Sequence, residues 1–192
     1  MNILKMKKVN IVIGRFQPFT KGHLKCVEMA WDMLNVPTVI CMINTKNDKV
    51  DERKPFPSSL LLPLYNDAFK KEKRIEKVIL VTNADIVKIG EACKAEGYEI
   101  CSWTCGTDRY DSYKSMAEKY GEKAGLTDDF QVLEVKRSDE DISATKVRQA
   151  LLNDDKKTFD QMTPFGTLSQ HLKGDKSVYE VLKKQINIVM NK

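Results

Sequence analysis

The chain contains no run approaching the ~20 apolar residues that a membrane span requires. Its first eight residues carry lysines, but Asn10 and Gly14 interrupt the apolar stretch behind them, so no secretory leader is read there. Cysteine offers no disulfide framework. There are five, Cys26, Cys41, Cys93, Cys101 and Cys105, an odd number scattered through apparent strands and helices. Cys101 and Cys105 lack a second ligand pair for a metal, and their even spacing already places them on one face of a strand. A soluble, cytoplasmic protein without a membrane partner is expected. Charge of one sign is also scarce: the net +5 comes without an RNP signature, zinc-finger spacing or dense basic run, so no specific nucleic-acid partner is expected. Gly-x-x-x-x-Gly-Lys-Ser/Thr, Gly-x-Gly-x-x-Gly, Gly-x-Ser-x-Gly and His-Glu-x-x-His are all missing, which argues against P-loop, dinucleotide-binding, α/β-hydrolase and zinc-protease chemistry.

What is present is an alternation of apolar runs and helical patterns. Strands are expected at Val9–Ile13, Thr38–Ile43, Lys77–Thr82, Glu99–Cys105 and Gln131–Lys136. Leu24, Val27, Trp31 and Leu34 recur at helical spacing, with Trp31 read as core, and further helices fall near 60–72, 85–96 and 108–123. Pro63 should break a helix begun at Ser58, so the regular helix is expected to start only at the proline. Near the C-terminus Val178, Val181, Leu182, Ile186 and Val189 form one stripe, to cover the sheet or an oligomer contact. Strand-helix alternation predicts an α/β fold: a Rossmann-like parallel sheet of about five strands with helices on both faces and C-terminal helices. One domain over 1–165 is expected, with 166–192 as its helical extension; homo-oligomerisation stays open.

The most informative stretch is Gly14-Arg15-Phe16-Gln17-Pro18-Phe19-Thr20-Lys21-Gly22-His23, directly after the first strand. A strand running into a glycine turn and a helix start brings backbone N–H groups and a helix dipole to one place, which is how a phosphate is held. Thr20 and His23 lie three apart and share a face, with Gly22 leaving room between them. The plainer reading makes Thr20 an N-cap and His23 a polar residue of the first turn. Ile142-Ser143-Ala144-Thr145-Lys146-Val147-Arg148 repeats the pattern: Ser143 or Thr145 can cap a helix and donate to an anion, and Arg148 offers a planar fork to phosphate. Taken alone it is also an ordinary capped helix with Val147, Leu151 and Leu152 buried. Gly106-Thr107-Asp108-Arg109 follows the fourth strand; Asp108 could accept ribose hydroxyls or merely cap the next helix, and Arg109 adds a phosphate donor. Arg53-Lys54-Pro55-Phe56-Pro57 is a stiff basic loop suited to an anionic second substrate or simply an exposed turn. Trp103, near a strand's end, belongs to the core by default or stacks on a heterocycle.

The two motifs, Gly14-x-Phe16-x-Pro18-x-Thr20-x-Gly22-His23 and Ile142-Ser143-x-Thr145-x-x-Arg148, resemble the paired signatures of the nucleotidylyltransferase superfamily in order and in their separation of about 120 residues. The resemblance covers roughly residues 8 to 165, and its wording is similar to nicotinamide mononucleotide adenylyltransferases of the archaeal type and to related bacteriophage enzymes. The archaeal enzymes carry histidine where this chain has Thr20. The resemblance implies ATP as substrate, Mg²⁺ held mainly by phosphates and water with no protein metal ligands, and a phosphorylated small-molecule acceptor. Nicotinamide mononucleotide is the first choice, with phosphopantetheine or a phosphoalcohol as alternatives. It implies His23 and Thr20 at the α- and β-phosphates, Arg148, Ser143 and Thr145 at the β- and γ-phosphates and the leaving pyrophosphate, and Ile142 among the nucleotide-binding residues. Gly14, Arg15 and Phe16 would line the phosphate turn beside Gly22, Gly106, Asp108 and Arg109 would face the nucleoside, and Arg53, Phe56 and Trp103 would face the acceptor.

Overall fold

Thirteen elements follow one another in the computed structural model, which describes residues 5–44, 48–136, 142–168 and 176–191. They are β1 (Lys7–Gly14), α1 (Lys21–Leu34), β2 (Thr38–Ile43), α2 (Ser58–Phe69), β3 (Ile75–Val81), α3 (Ile86–Ala95) and β4 (Tyr98–Gly106). Then come α4 (Thr107–Ala124), β5 (Gln131–Val135), α5 (Ala144–Leu152), α6 (Lys156–Met162), α7 (Phe165–Leu168) and α8 (Val178–Met190). The strands form one sheet in the order β3-β2-β1-β4-β5, and every pairing is parallel. The chain has the α/β Rossmann-like fold that its strand-helix alternation predicts. β-branched and apolar runs suit such a sheet because helices cover both faces. Residues of β1 alternate accordingly: Val9, Ile11 and Ile13 pack on the side of α3 and α4, whereas Val12 packs with Cys26, Val27, Leu61, Val147 and Val178 on the other. The strand order turns back between β1 and β4, so the crevice beyond their carboxyl ends is where a ligand site is expected in such a sheet.

Packing between α3 and α4 is close enough to require glycine at Gly90, where a Cβ would stand 2.0 Å from the Ala124 carbonyl oxygen. The second helix departs from expectation. It begins at Ser58 and runs through Pro63. The proline is exposed, and the carbonyl it leaves without a partner belongs to exposed Ser59, which water can reach. Burial of Leu61, Tyr65, Ala68 and Phe69 along the opposite side outweighs the lost bond. Trp31 is another correction, being only half-buried with the Lys73 ammonium 5.6 Å from its ring centroid. The α8 stripe does cover the fold itself: Val178, Tyr179, Leu182 and Ile186 join the apolar cluster shared by α1, α2 and α5. Asp154, at φ 58°, anchors that helix by accepting from the Tyr179 hydroxyl at 2.9 Å and pairing with Lys183. Among the described residues no helix is long and apolar enough to cross a membrane.

Candidate active site

Beyond the carboxyl ends of β1, β4 and β5 lies a cavity of about 580 Å³, a size ordinary for a small-molecule site. β1 contributes Val12 and Ile13 to its wall, and the start of α1 contributes Thr20, Gly22, His23, Lys25 and Cys26. Thr104, Cys105 and Gly106 come from β4; Asp108, Arg109 and Tyr113 from α4; Val135 and Lys136 from the end of β5; Ile142, Ser143 and Ala144 from the start of α5. Three helix N-termini, those of α1, α4 and α5, therefore open onto one space, together with three cationic side chains, Lys25, Arg109 and Lys136, against the single carboxylate of Asp108 in the wall. Such a wall favours an anion.

The α1 start is built from the inside out. A Cβ at Gly14 would stand 3.0 Å from the Phe16 ring, closer than side chains ordinarily approach, so the glycine gives that ring its seat. Phe16 takes the left-handed φ of 49°, a conformation held by contacts on every side. The Tyr65 hydroxyl donates to its carbonyl at 2.9 Å and accepts from the Phe19 N–H at 3.0 Å. Gln17 is buried and exchanges two bonds with the backbone of Phe56, its Nε2 donating to the carbonyl at 2.7 Å and its Oε1 accepting from the N–H at 3.1 Å. Thr20 and His23 form a reciprocal capping box, in which the Thr20 N–H donates to His23 Nδ1 at 3.0 Å. The imidazole packs against Phe16 at 4.9 Å edge-on and Phe19 at 5.3 Å. Burial among these rings pulls its pKa down to about 4, so it is neutral at physiological pH. With Nδ1 accepting from the backbone, the ring proton sits on Nε2, and the histidine serves as a neutral hydrogen-bond donor at the cavity wall.

The second helix start meets the first. Ser143 caps α5 by accepting from the Lys146 N–H at 3.2 Å. One turn on, Arg148 donates to the Gln17 carbonyl at 2.8 Å and to Thr145 Oγ1 at 3.1 Å. The two motifs, remote along the chain, are thus joined directly. The cavity floor rests on Asn10, wholly buried in β1, whose Oδ1 accepts from Ser102 Oγ at 2.8 Å and Thr104 Oγ1 at 2.9 Å while Nδ2 donates to Thr38 Oγ1 at 3.0 Å. That network links β2, β1 and β4 across the sheet reversal and fixes the rotor of Thr104.

Of the residues singled out from sequence, Thr20, Gly22, His23, Gly106, Asp108, Arg109, Ile142 and Ser143 share the cavity wall. Thr145 and Arg148 stand beside it, tied to Gln17. Gly14 and Phe16 shape the turn behind it, and Arg15 is exposed on that turn. Arg53 is exposed in the loop after β2, where its N–H donates to Asp51. Two expectations are corrected. Phe56 is wholly buried, drawn inward by its backbone bonds to Gln17, and Trp103 is wholly buried with Tyr113 stacked on it at 3.7 Å. Neither ring is available to an acceptor. Sequence reading passed over Gln17, Tyr65, Asn10 and Tyr113. An asparagine inside an apolar strand was a usable signal for Asn10; nothing local marks the others. The residue after β5, Lys136, is described, but Asp141 ahead of the second motif lies outside the described residues. All five cysteines are buried and free, consistent with their strand and helix positions.

Among the described residues no group of three or more histidine, cysteine, aspartate or glutamate side chains is placed to hold a metal. The oxygen donors on the cavity wall, the Asp108 carboxylate and the Thr20 and Ser143 hydroxyls, are of the kind a divalent cation takes.

A family model described as cytidylyltransferase-like matches residues 11–150, which include both helix starts. A sequence search of curated proteins returns no match. Among solved structures, the chain is similar to a bifunctional NMN adenylyltransferase/ADP ribose pyrophosphatase from Francisella tularensis, complexed with AMP and a manganese ion. The TM-score is 0.53 at 18% identity, over 97% of this chain and 54% of that one. It is also similar to Thermotoga maritima TmcAL bound with alpha-thio ATP, at TM-score 0.51 and 12% identity, over 95% of this chain and 56% of that one. The chain spans about half the length of each, and at these identities the likeness is one of fold.

Proposed function

The chain belongs to the cytidylyltransferase-like family, and from that premise we propose that it is a nucleotidylyltransferase joining ATP to nicotinamide mononucleotide, with NAD and pyrophosphate as products. The observation that carries this reading is the convergence of the α1 and α5 N-termini on one cavity, with neutral His23 on its wall and Arg148 bridging the two motifs. A fold relative named as an NMN adenylyltransferase and complexed with AMP supports the choice of reaction.

In this reaction a phosphate oxygen of the acceptor attacks the α-phosphorus of ATP in line. The new P–O bond forms as the bond to the β-phosphate bridging oxygen breaks, and pyrophosphate leaves with that electron pair. Nothing on the chain needs to act as a nucleophile. The protein's part is to position and to stabilise charge. His23 Nε2–H donates to an α- or β-phosphate oxygen, where a neutral donor gains as negative charge develops. Thr20, Ser143, Thr145 and the α5 amides receive the leaving pyrophosphate, with Arg148 adding cationic donors beside them. Asp108 and Arg109 face the ribose and its phosphate. Mg²⁺ supplies further neutralisation of the triphosphate when bound.

The test is pyrophosphate release from ATP and Mg²⁺ with nicotinamide mononucleotide, set beside nicotinate mononucleotide, phosphopantetheine and phosphocholine with CTP. Release with the first and formation of NAD by mass are expected. Release only with another acceptor would overturn the substrate, and none with any acceptor would overturn the enzyme reading.

A further inference from the structure

Arg148 is aimed in part from outside its own helix. Its Nη1 donates to the Gln17 carbonyl at 2.8 Å and its Nη2 to Thr145 Oγ1 at 3.1 Å. Two acceptors at fixed places set the plane of a guanidinium, and a planar fork meets phosphate oxygens well only when that plane is right. Thr145 travels with α5. The Gln17 carbonyl does not, so its position decides where the fork points.

That carbonyl is held from behind by its own side chain. The buried amide of Gln17 exchanges bonds of 2.7 and 3.1 Å with the backbone of Phe56. Phe56 lies in segment 48–57, which leads into α2 and is tied down along its length. The Asp48 carboxylate accepts from the Ser58 and Ser59 N–H groups at 2.7 and 3.2 Å. Asp51 and Lys54 exchange backbone bonds of 3.2 and 3.1 Å, and the Asp51 side chain accepts from the Arg53 and Lys54 N–H groups. Gln185 of α8 donates to the Pro55 carbonyl at 3.2 Å. The segment also comes within electrostatic reach of the arginine: burial lowers the Arg148 pKa, and the Asp51 carboxylate acts against that. Because α8 follows residues 11–150, part of this anchor is supplied from outside the region that the family model matches.

We propose that Gln17 is a positioning residue for Arg148, working against segment 48–57 as its anchor, with α8 bracing that anchor through Gln185. The proposal rests on the nucleotidyl-transfer reading, in which Arg148 meets the triphosphate. The Gln17 side chain is committed to Phe56, and its effect on the nucleotide passes through the arginine.

Calorimetry on the full chain measures ATP with Mg²⁺ for the wild type, Gln17→Ala, Arg148→Ala and their double variant, and for Gln185→Ala alone and combined with Arg148→Ala. Gln17→Ala is expected to weaken ATP about tenfold, and Arg148→Ala at least as much. On the Arg148→Ala background, Gln17→Ala is expected to change ATP affinity by less than about twofold, although urea unfolding still records the loss of its bonds to Phe56. A glutamine that served the fold alone would weaken ATP equally with and without the arginine. That result overturns the proposal, as does an affinity that Gln17→Ala leaves unchanged or an Arg148→Ala variant that binds ATP as the wild type does. Gln185→Ala removes a half-buried bond on α8 and leaves the core intact, so it decides the matter should Gln17→Ala fail to fold. It is expected to weaken ATP about threefold with Arg148 present and not at all without it. No effect in the presence of the arginine, or the same effect in its absence, overturns the proposal. Wild-type protein that binds no ATP overturns the nucleotidyl-transfer reading and the positioning role with it, whereas ATP binding with independent effects overturns the positioning role alone.

Discussion

Two of the helix starts that open onto the cavity, those of α1 and α5, are made by different means. The start of α1 is sunk in the protein: Phe16, Gln17, Phe19 and Thr20 are all buried, and hydrogen bonds from Tyr65 and Phe56, on or next to α2, hold the turn. The start of α5 is half-exposed, capped by its own Ser143, and tied to the first through a bond from Arg148 to the Gln17 carbonyl. One is organised by distant parts of the chain and the other mainly by its own sequence. The first should therefore resist adjustment when a ligand binds, whereas the second can move with little loss. Mutation should expose that asymmetry.

The sharpest contrast is expected at His23. His23→Ala removes a cavity donor at the place where charge develops and should cut turnover about 10²-fold or more. Calorimetric ATP affinity should fall much less if the donor acts mainly in the transition state. Turnover close to wild type would remove His23 from the chemistry. Tyr65→Phe tests the support behind it. The ring still packs with Phe19, Phe69 and Phe165, but the Phe16 carbonyl and the Phe19 N–H lose their partner inside the core. Urea unfolding should show a loss of about 2–3 kcal/mol. A loss under half of one would mean that the turn is held by something other than the tyrosine.

Acid should weaken the same region. The His23 pKa is pulled down to about 4 from an unfolded value of 6.5, so the unfolded chain takes up the proton first as pH falls. The stability that the neutral ring contributes is complete above about pH 6.5 and is lost progressively as pH falls towards 4. Between pH 8 and pH 5 this amounts to about 2 kcal/mol for the ligand-free protein. His23→Asn should flatten that part of the pH–stability curve; an unchanged curve would assign the acid sensitivity to other groups.

The same contrast explains what could be read from the chain without its structure. Element order and both motifs are legible because they depend on local chemistry: apolar periodicity, a glycine turn, a hydroxyl ahead of a helix. The start of α5 was readable for that reason, with Ser143 one of the two caps, Ser143 or Thr145, that the sequence offered. The start of α1 was readable only on its outer side. Gln17 meets Phe56 across thirty-nine positions and Tyr65 reaches Phe16 across forty-nine, distances that leave no local trace. Phe56 and Trp103 were misplaced because an aromatic in a basic loop, or near a strand's end, looks the same whether its ring faces solvent or core. Tyr113 went unnoticed because the helix around it is so polar. Pro63 was over-read, since a proline in a helix is tolerable when, as here, the orphaned carbonyl faces water.

The smallest effect belongs to Ser143, and it separates the two roles a cap can have. Ser143→Ala removes the bond from the Lys146 N–H and should cost about 1 kcal/mol of stability. Ser143→Asp keeps an acceptor at the cap and complements the helix dipole, so it should restore that stability. A carboxylate at the cavity wall would repel a triphosphate, however, so turnover and ATP affinity should fall further in the aspartate variant than in the alanine variant. Stability and binding would then move in opposite directions at one residue, which a purely structural cap cannot produce. If the aspartate variant regains both, Ser143 serves the helix alone, and the anion is held by the α1 start and Arg148.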